Sequence, residues 1–262
     1  MRRVVGPEIL DTLPPDHPDA VANRRDLRLI NALQGNPRWI ARALAPRLRP
    51  GDHILEAGAG DGTLGRELWR RLPILRRCRY TGLDRQCGRP AGWPGGWDWI
   101  RADLLDHPLV PAPRVVVINF LLHQFPDGQL VDLSRRLQAA AFWVVCEPHR
   151  RRHALLGLGL LRLLGLHPVS WQDGRTSILA GFRGQELPAL LEADAAGRAT
   201  SVTIDPRGVY RMVSEAPAHS HRPGCPLHGS CLPGHHSCHQ QAADGGQRAG
   251  ATVPYGAEPP AS

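Results

Sequence analysis

Lysine is missing altogether. The chain of 262 residues carries 32 basic residues, every one an arginine, against 24 acidic ones, for a formal net charge of +8. Without lysine there is no Tyr-x-x-x-Lys pair, which removes one catalytic arrangement of nicotinamide-dependent oxidoreductases. Aromatic residues make up only 5%, and few are interleaved with the arginines, so platforms for stacking nucleic-acid bases are not expected. The abundance of Ala, Gly, Pro and Arg is that of GC-rich coding, which raises arginine for reasons unrelated to binding, so the charge by itself names no partner. An RNA partner would declare itself by binding that weakens steeply with salt. Long apolar runs are scarce too. The longest, Ala154 to Leu166, is interrupted by Arg162 and falls short of the roughly 18 residues of a membrane span. Met1-Arg2-Arg3 is not followed by the apolar core of a secretory signal, and a cytoplasmic location is expected. Cys78, Cys87 and Cys146 lie in the body and Cys225, Cys231 and Cys238 near the end; this is no dense disulfide framework, and reduced thiols are expected.

What is present divides into three stretches. Residues 1–50 read as a helical extension, with one helix over Asp19 to Leu33, a break at Gly35-Asn36-Pro37, and a second helix over Trp39 to Leu48. Residues 51–215 alternate strand and helix, which predicts an α/β domain built on a doubly wound, mostly parallel sheet of Rossmann-like type. Strands are expected near His53 to Glu56, Tyr80 to Leu83, Trp97 to Arg101, Arg114 to Asn119 and Phe142 to Cys146. Helices are expected over Gly62 to Arg71, Gly128 to Ala140 and Arg150 to Leu164. Thr200 to Ile204 and Val209 to Val213 flank Asp205-Pro206-Arg207-Gly208, the pattern of an antiparallel hairpin at the sheet's C-terminal edge. Residues 216–262 shift to Pro, Gly, His, Ser and Gln, too few apolar side chains to fold alone, and read as a disordered tail. In it, Cys225, His228, Cys231, His235 and Cys238 have soft-ligand spacing but no clean CxxC pair; a zinc site and an incidental His- and Cys-rich extension both stand, and no metal is assigned.

The segment richest in chemistry is Ile54-Leu55-Glu56-Ala57-Gly58-Ala59-Gly60-Asp61-Gly62-Thr63-Leu64-Gly65. A strand ends in a glycine turn that opens a helix, and the glycines let backbone bend tightly and approach a ligand. Gly60 to Gly65 also satisfies GxGxxG, so pattern alone does not separate a dinucleotide from other ligands. Charge does: a pyrophosphate on a helix N-terminus wants N–H groups and no anions nearby, whereas Glu56 and Asp61 favour a cationic ligand. The glycine turn also starts directly after the strand, at Gly58, which places the GxGxxG match one turn late.

Glu56-x-Gly58-x-Gly60-x-Gly62 resembles motif I of the class I S-adenosylmethionine-dependent methyltransferases. Thr81-Gly82-Leu83-Asp84 is similar to the segment whose acidic residue, here Asp84, holds the ribose hydroxyls in that family. Ala102-Asp103-Leu104 resembles its adenine-side motif, which implies that Asp103 accepts from the exocyclic amine and that the backbone N–H of Ala102 donates. Asn119-Phe120-Leu121-Leu122-His123-Gln124-Phe125 resembles the segment after the fourth strand in members acting on small molecules, with Gln124 where many have a second histidine. The resemblance spans Ile54 to Glu147. It implies S-adenosylmethionine as cofactor, with Glu56, Gly58, Gly60, Asp61, Gly62, Asp84, Ala102, Asp103 and Asn119 around it, and methyl transfer to an oxygen or carbon of a small hydrophobic acceptor. Two alternatives are an NAD(P)-dependent oxidoreductase and a non-catalytic cofactor-binding partner protein. No Asn-Pro-Pro-Tyr or Asp-Pro-Pro-Tyr follows the fourth strand, which speaks against exocyclic nitrogens of bases and protein glutamine as acceptors.

His123 is the candidate general base, since an imidazole titrates near neutrality; a packed, hydrogen-bonded histidine is the other reading. Glu147 either lines the acceptor site or caps the following helix. His149-Arg150-Arg151-Arg152-His153 is an anion site or a solvated face, and Trp39, Trp93, Trp97, Trp99, Trp143 and Trp171 form an acceptor pocket or pack in the core. Asn23, Arg24 and Arg25 belong to a helix that either closes over the cofactor or packs on the domain's edge.

Overall fold

Residues 1–217 are described by a computed structural model; the cysteine and histidine cluster of the tail lies outside them. Parallel strands β1 (His53–Ala57), β2 (Arg79–Asp84), β3 (Asp98–Arg101), β4 (Val115–Asn119) and β5 (Phe142–Pro148) join β6 (Ala199–Asp205) and β7 (Val209–Glu215) in one seven-stranded sheet of order β3-β2-β1-β4-β5-β7-β6. β5 and β7 are antiparallel, as are β7 and β6. The β-branched run Val115 to Ile118 explains why β4 sits centrally: each of its side chains is buried, on alternating faces, and a strand covered on both sides needs no polar face. Leu55, Val116, Ile118 and Val145 feed one apolar layer and Ile54, Val115, Val117 and Val144 the other.

The helices are α1 (Pro18–Gln34), α2 (Asn36–Leu44), α3 (Thr63–Arg71), α4 (Asp127–Leu137), α5 (Arg152–Leu163), α6 (Pro168–Ala180) and α7 (Glu186–Leu190). Gly35, at φ 70°, ends α1 in the left-handed region and starts α2 at once, so the predicted break is a corner one residue long and α2 begins three residues earlier than expected. α6 and α7 were not foreseen. α6 lacks an apolar stripe because the face it buries is partly polar: Ser170 donates to Asp26 at 2.8 Å, and Asp173 accepts from Asn23 at 3.0 Å, both from α1. Asn23 is thereby a packing residue between α1 and α6, and Arg25 reaches the neighbouring Asp26.

Ahead of α1 the chain runs as a strap across the carboxyl ends of the strands. Arg3 donates to the carbonyls of Ala180, His123 and Phe125 and pairs with Asp127. Ile9 and Leu10 donate their N–H groups to Asp173, and Gln86 donates to the carbonyl of Asp11. No helix among the described residues is long and apolar enough to cross a membrane.

Candidate active site

At the carboxyl end of β1 the backbone turns through Gly58, Gly60 and Gly62, with φ of 70°, 56° and 69°. Their surroundings differ. A Cβ on Gly60 would meet nothing within 4 Å, whereas one on Gly62 would strike Pro90 at 2.7 Å and Trp93 at 2.9 Å. Gly60 opens onto a cavity and Gly62 permits close packing. Gly65, the last residue of the GxGxxG match, sits on α3 against Trp93 and Glu56 rather than in the turn.

Most N–H groups of this turn are committed inside the protein. Gly58 and Ala59 donate to the Leu83 carbonyl at 2.9 and 3.0 Å, and Gly62 donates to Ala59 at 2.8 Å. Gly60 donates to Asp84 at 2.8 Å and Thr63 to Asp61 at 3.0 Å. Asp84, at the end of β2, also accepts from the N–H groups of Gln86 and Cys87 at 2.9 and 2.7 Å. Its carboxylate is therefore fixed in direction, with its remaining acceptor capacity available to hydroxyl donors.

Glu56 is 2% exposed and accepts a 2.8 Å hydrogen bond from the Tyr80 hydroxyl. Burial, with the charges of Asp61 and Asp84 added, overcomes that bond and pushes its carboxyl up to about 8. Tyr80 in turn stacks on Trp97, their rings 4.0 Å apart, and Trp93 and Trp99 extend the cluster. These tryptophans pack behind the glycine turn; of the six named from sequence, Trp39 alone lines the cavity.

One cavity of about 1460 Å³ joins the residues expected from sequence. Glu56, Gly58, Gly60, Asp61, Asp84, Ala102, Asp103, Asn119 and His123 all line it, and Gly62 forms the turn beside them. Its far wall is made by α1, α5 and α6, with Ile30, Leu158, Leu161 and Ile178 among its residues. Sequence reading missed what α1 contributes. Arg28 closes onto the turn through a 2.6 Å ion pair with Asp61, and Asn31 accepts from Asn119 at 3.1 Å. These partners are 33 and 88 positions apart, and no local pattern signals them.

Ala102 departs from expectation. Its N–H donates to the Asp84 carbonyl at 3.0 Å, continuing the β2–β3 ladder, and cannot serve a ligand. The Leu104 N–H, at a position that also lines the cavity, takes no part in that ladder. Asp103 directs its Oδ1 to the N–H of Leu105 at 2.9 Å.

His123 lies in the turn after β4, 2% exposed, between two carboxylates: Nδ1 is 2.7 Å from Glu147 and Nε2 is 3.1 Å from Glu8 of the strap. Burial alone would lower its pKa, but Glu147 and Glu8 outweigh burial and raise it to about 10. Two carboxylates facing the two ring nitrogens favour the imidazolium, in which both N–H groups are engaged and no lone pair is left to take a proton. Glu147 is wholly buried and accepts from the N–H groups of Leu121, Leu122 and His123 at 3.0, 2.7 and 3.3 Å. It caps the turn after β4 rather than the helix after β5. In the arginine run, Arg150 is buried and bonded to Met1, Gly181 and Glu186, while Arg151 and Arg152 are exposed.

No family model and no curated protein matches the chain. Solved structures do. The plantazolicin methyltransferase BpumL, in complex with a triazolic desmethylPZN analog and SAH, aligns with a TM-score of 0.60 at 11% identity over 79% of this chain and 93% of that one. Plantazolicin methyltransferase BamL aligns at 0.55 and 11%, over 79% and 92%. A possible exported protein from Bordetella parapertussis aligns at 0.50 and 18%, over 70% and 68%. At such identities what is shared is architecture: the chain has the Rossmann-like fold of the class I methyltransferases, with its antiparallel C-terminal edge.

Proposed function

We propose that this protein is a methyltransferase that uses S-adenosylmethionine to methylate an oxygen or carbon of a small hydrophobic metabolite. The observation that carries this reading is the state of the glycine turn. A pyrophosphate needs several free N–H groups at a helix N-terminus, and those of Gly58, Ala59, Gly60, Gly62 and Thr63 are already bonded within the protein. The turn instead brings two carboxyl groups to the cavity, Glu56, which an approaching cation would ionise, and Asp61, which is paired with Arg28 in the free protein; both suit a sulfonium and an ammonium better than phosphates. Asp84 would accept from the ribose hydroxyls, Asp103 from the adenine amine, and the Leu104 N–H would replace that of Ala102 at the ring.

Bound there, the cofactor supplies a methyl group already activated by its sulfonium. The protein's part is in-line positioning and exclusion of water. A volume of about 1460 Å³ exceeds the roughly 1,000 Å³ upper range of single-ligand pockets, leaving room for an acceptor against the apolar wall of α1, α5 and α6. Held as a cation between Glu8 and Glu147, His123 positions the turn after β4, and the general-base role expected for it gives way to that. An acceptor that ionises by itself, or a nucleophilic carbon, fits this site.

Calorimetric titration with S-adenosylmethionine, S-adenosylhomocysteine and NADH in parallel tests the cofactor. The first two should bind in the micromolar range, on the order of 8 kcal/mol; binding of NADH alone overturns the reading.

A proton should leave as the cofactor enters. Free Glu56 is protonated below about 8, and an approaching cation favours its carboxylate. Affinity should therefore fall as pH drops from 8 to 6, by up to about tenfold per unit. Glu56→Gln should flatten the slope, the ligand's own amine contributing equally to both proteins. Equal slopes in the two titrations would remove Glu56 from the site.

A further inference from the structure

α5 is apolar nearly all round, which an ordinary surface helix is not. Its inner side belongs to the cavity wall, through Ala154, Leu158 and Leu161. Its outer side carries Leu156, Leu160, Leu163 and the adjoining Leu164, which are 75%, 58%, 85% and 74% exposed. Positions 156, 160, 163 and 164 follow one another at intervals of four, three and one, so on a helix they form a single stripe. Four leucines at these exposures leave on the order of 500 Å² of apolar surface, the size of the largest patch on a typical monomer, which is often functional. Between stripe and cavity lies Gly157, where a Cβ would meet nothing within 4 Å. The outer stripe thus runs into the chamber without an intervening ridge.

Charge at the margins selects the partner. From His149 to Leu166 there are four arginines and no acidic residue. Arg150 is neutralised by Glu186, whereas Arg151 and Arg152 are exposed and make no ion pair among the described residues. Arg162 donates to the Leu166 carbonyl at 3.3 Å, makes no ion pair among the described residues and faces away from the stripe. Leucines in a row with unpaired arginines at the N-terminal end of the helix match the boundary between the headgroups and acyl chains of an anionic bilayer.

The geometry points to α5 as a lipid-facing helix, seated on an anionic membrane surface so that a lipophilic acceptor passes from the bilayer along the leucine stripe into the cavity. This rests on the methyltransferase reading for what happens inside the cavity, but not for the surface contact. The test is flotation of the full chain with phosphatidylcholine vesicles with and without phosphatidylglycerol. Binding should require the anionic lipid, weaken with salt, and fall by about tenfold or more in Leu160→Asp/Leu163→Asp. Both substitutions sit on an exposed face, and cofactor affinity should be unchanged in the variant. No flotation with either vesicle, or equal flotation with both, overturns the proposal. So does dimerisation in light scattering that the variant abolishes while vesicles go unbound, which gives the stripe to a second copy. Failure of the wild type to bind S-adenosylmethionine would sink the transfer reading instead and leave the flotation result standing.

Discussion

Gly60→Val should remove cofactor binding, by at least about a hundredfold, from a protein that still folds. The substitution places a branched side chain where the free protein has open space on the cavity side. The cost to folding is therefore confined to the positive φ of 56°, about 1–2 kcal/mol for a residue with a Cβ in the left-handed region. The cost to binding is larger, because the new methyl groups occupy ligand volume in a turn whose position is fixed by the 2.8 Å bond to Asp84. Gly62→Val makes the control. It carries the same φ strain, but its Cβ would lie 2.7 Å from Pro90 and 2.9 Å from Trp93, so the loss should appear first in stability, by about 1–3 kcal/mol beyond the strain. Calorimetry with S-adenosylhomocysteine and thermal unfolding of both variants separate the two effects. A Gly60 variant that binds normally would place the ligand elsewhere.

The contrast between these glycines also shows what the sequence could reveal. Strand, turn and helix from Ile54 to Arg71 are contiguous, and their composition reports local backbone geometry, so the glycine turn at Gly58, Gly60 and Gly62 is legible by reading along the chain. Partners brought together by packing leave no such trace. Arg28 meets Asp61, Asn31 meets Asn119 and Glu8 meets His123 only because the strap and α1 fold back over the strand ends. Ala102 misled for a related reason: its motif predicts a donor, and the register of β2 with β3 decides that the donor is taken. α6 escaped notice because Ser170 and Asp173 occupy inward positions where apolar residues would signal a helix.

Glu147→Gln should be the most destabilising conservative change in the strand-end region. Glu147 accepts from three N–H groups and from the His123 ring, and removing its charge leaves a buried imidazolium facing an amide. Breaking a buried pair by altering one partner costs about 3–5 kcal/mol. The pH dependence fixes the cause. Folding raises the His123 pKa from an ordinary 6.5 to about 10, so its stabilisation is full below about 6.5 and is lost as pH climbs through 10. Glu8 works in the opposite direction. Burial would raise its carboxyl, but the hydrogen bond and charge of His123, with Ser177 and Gln124, hold it below 4.5, so its contribution is present above 4.5 and lost in acid. The array Glu8–His123–Glu147 is therefore strongest between about 4.5 and 6.5. Urea unfolding of the wild type should show stability declining from pH 6.5 towards 10, and Glu147→Gln should be less stable at pH 6 with a shallower decline. A parallel decline in both proteins would mean that His123 is not the buried cation that holds the strap to the turn after β4.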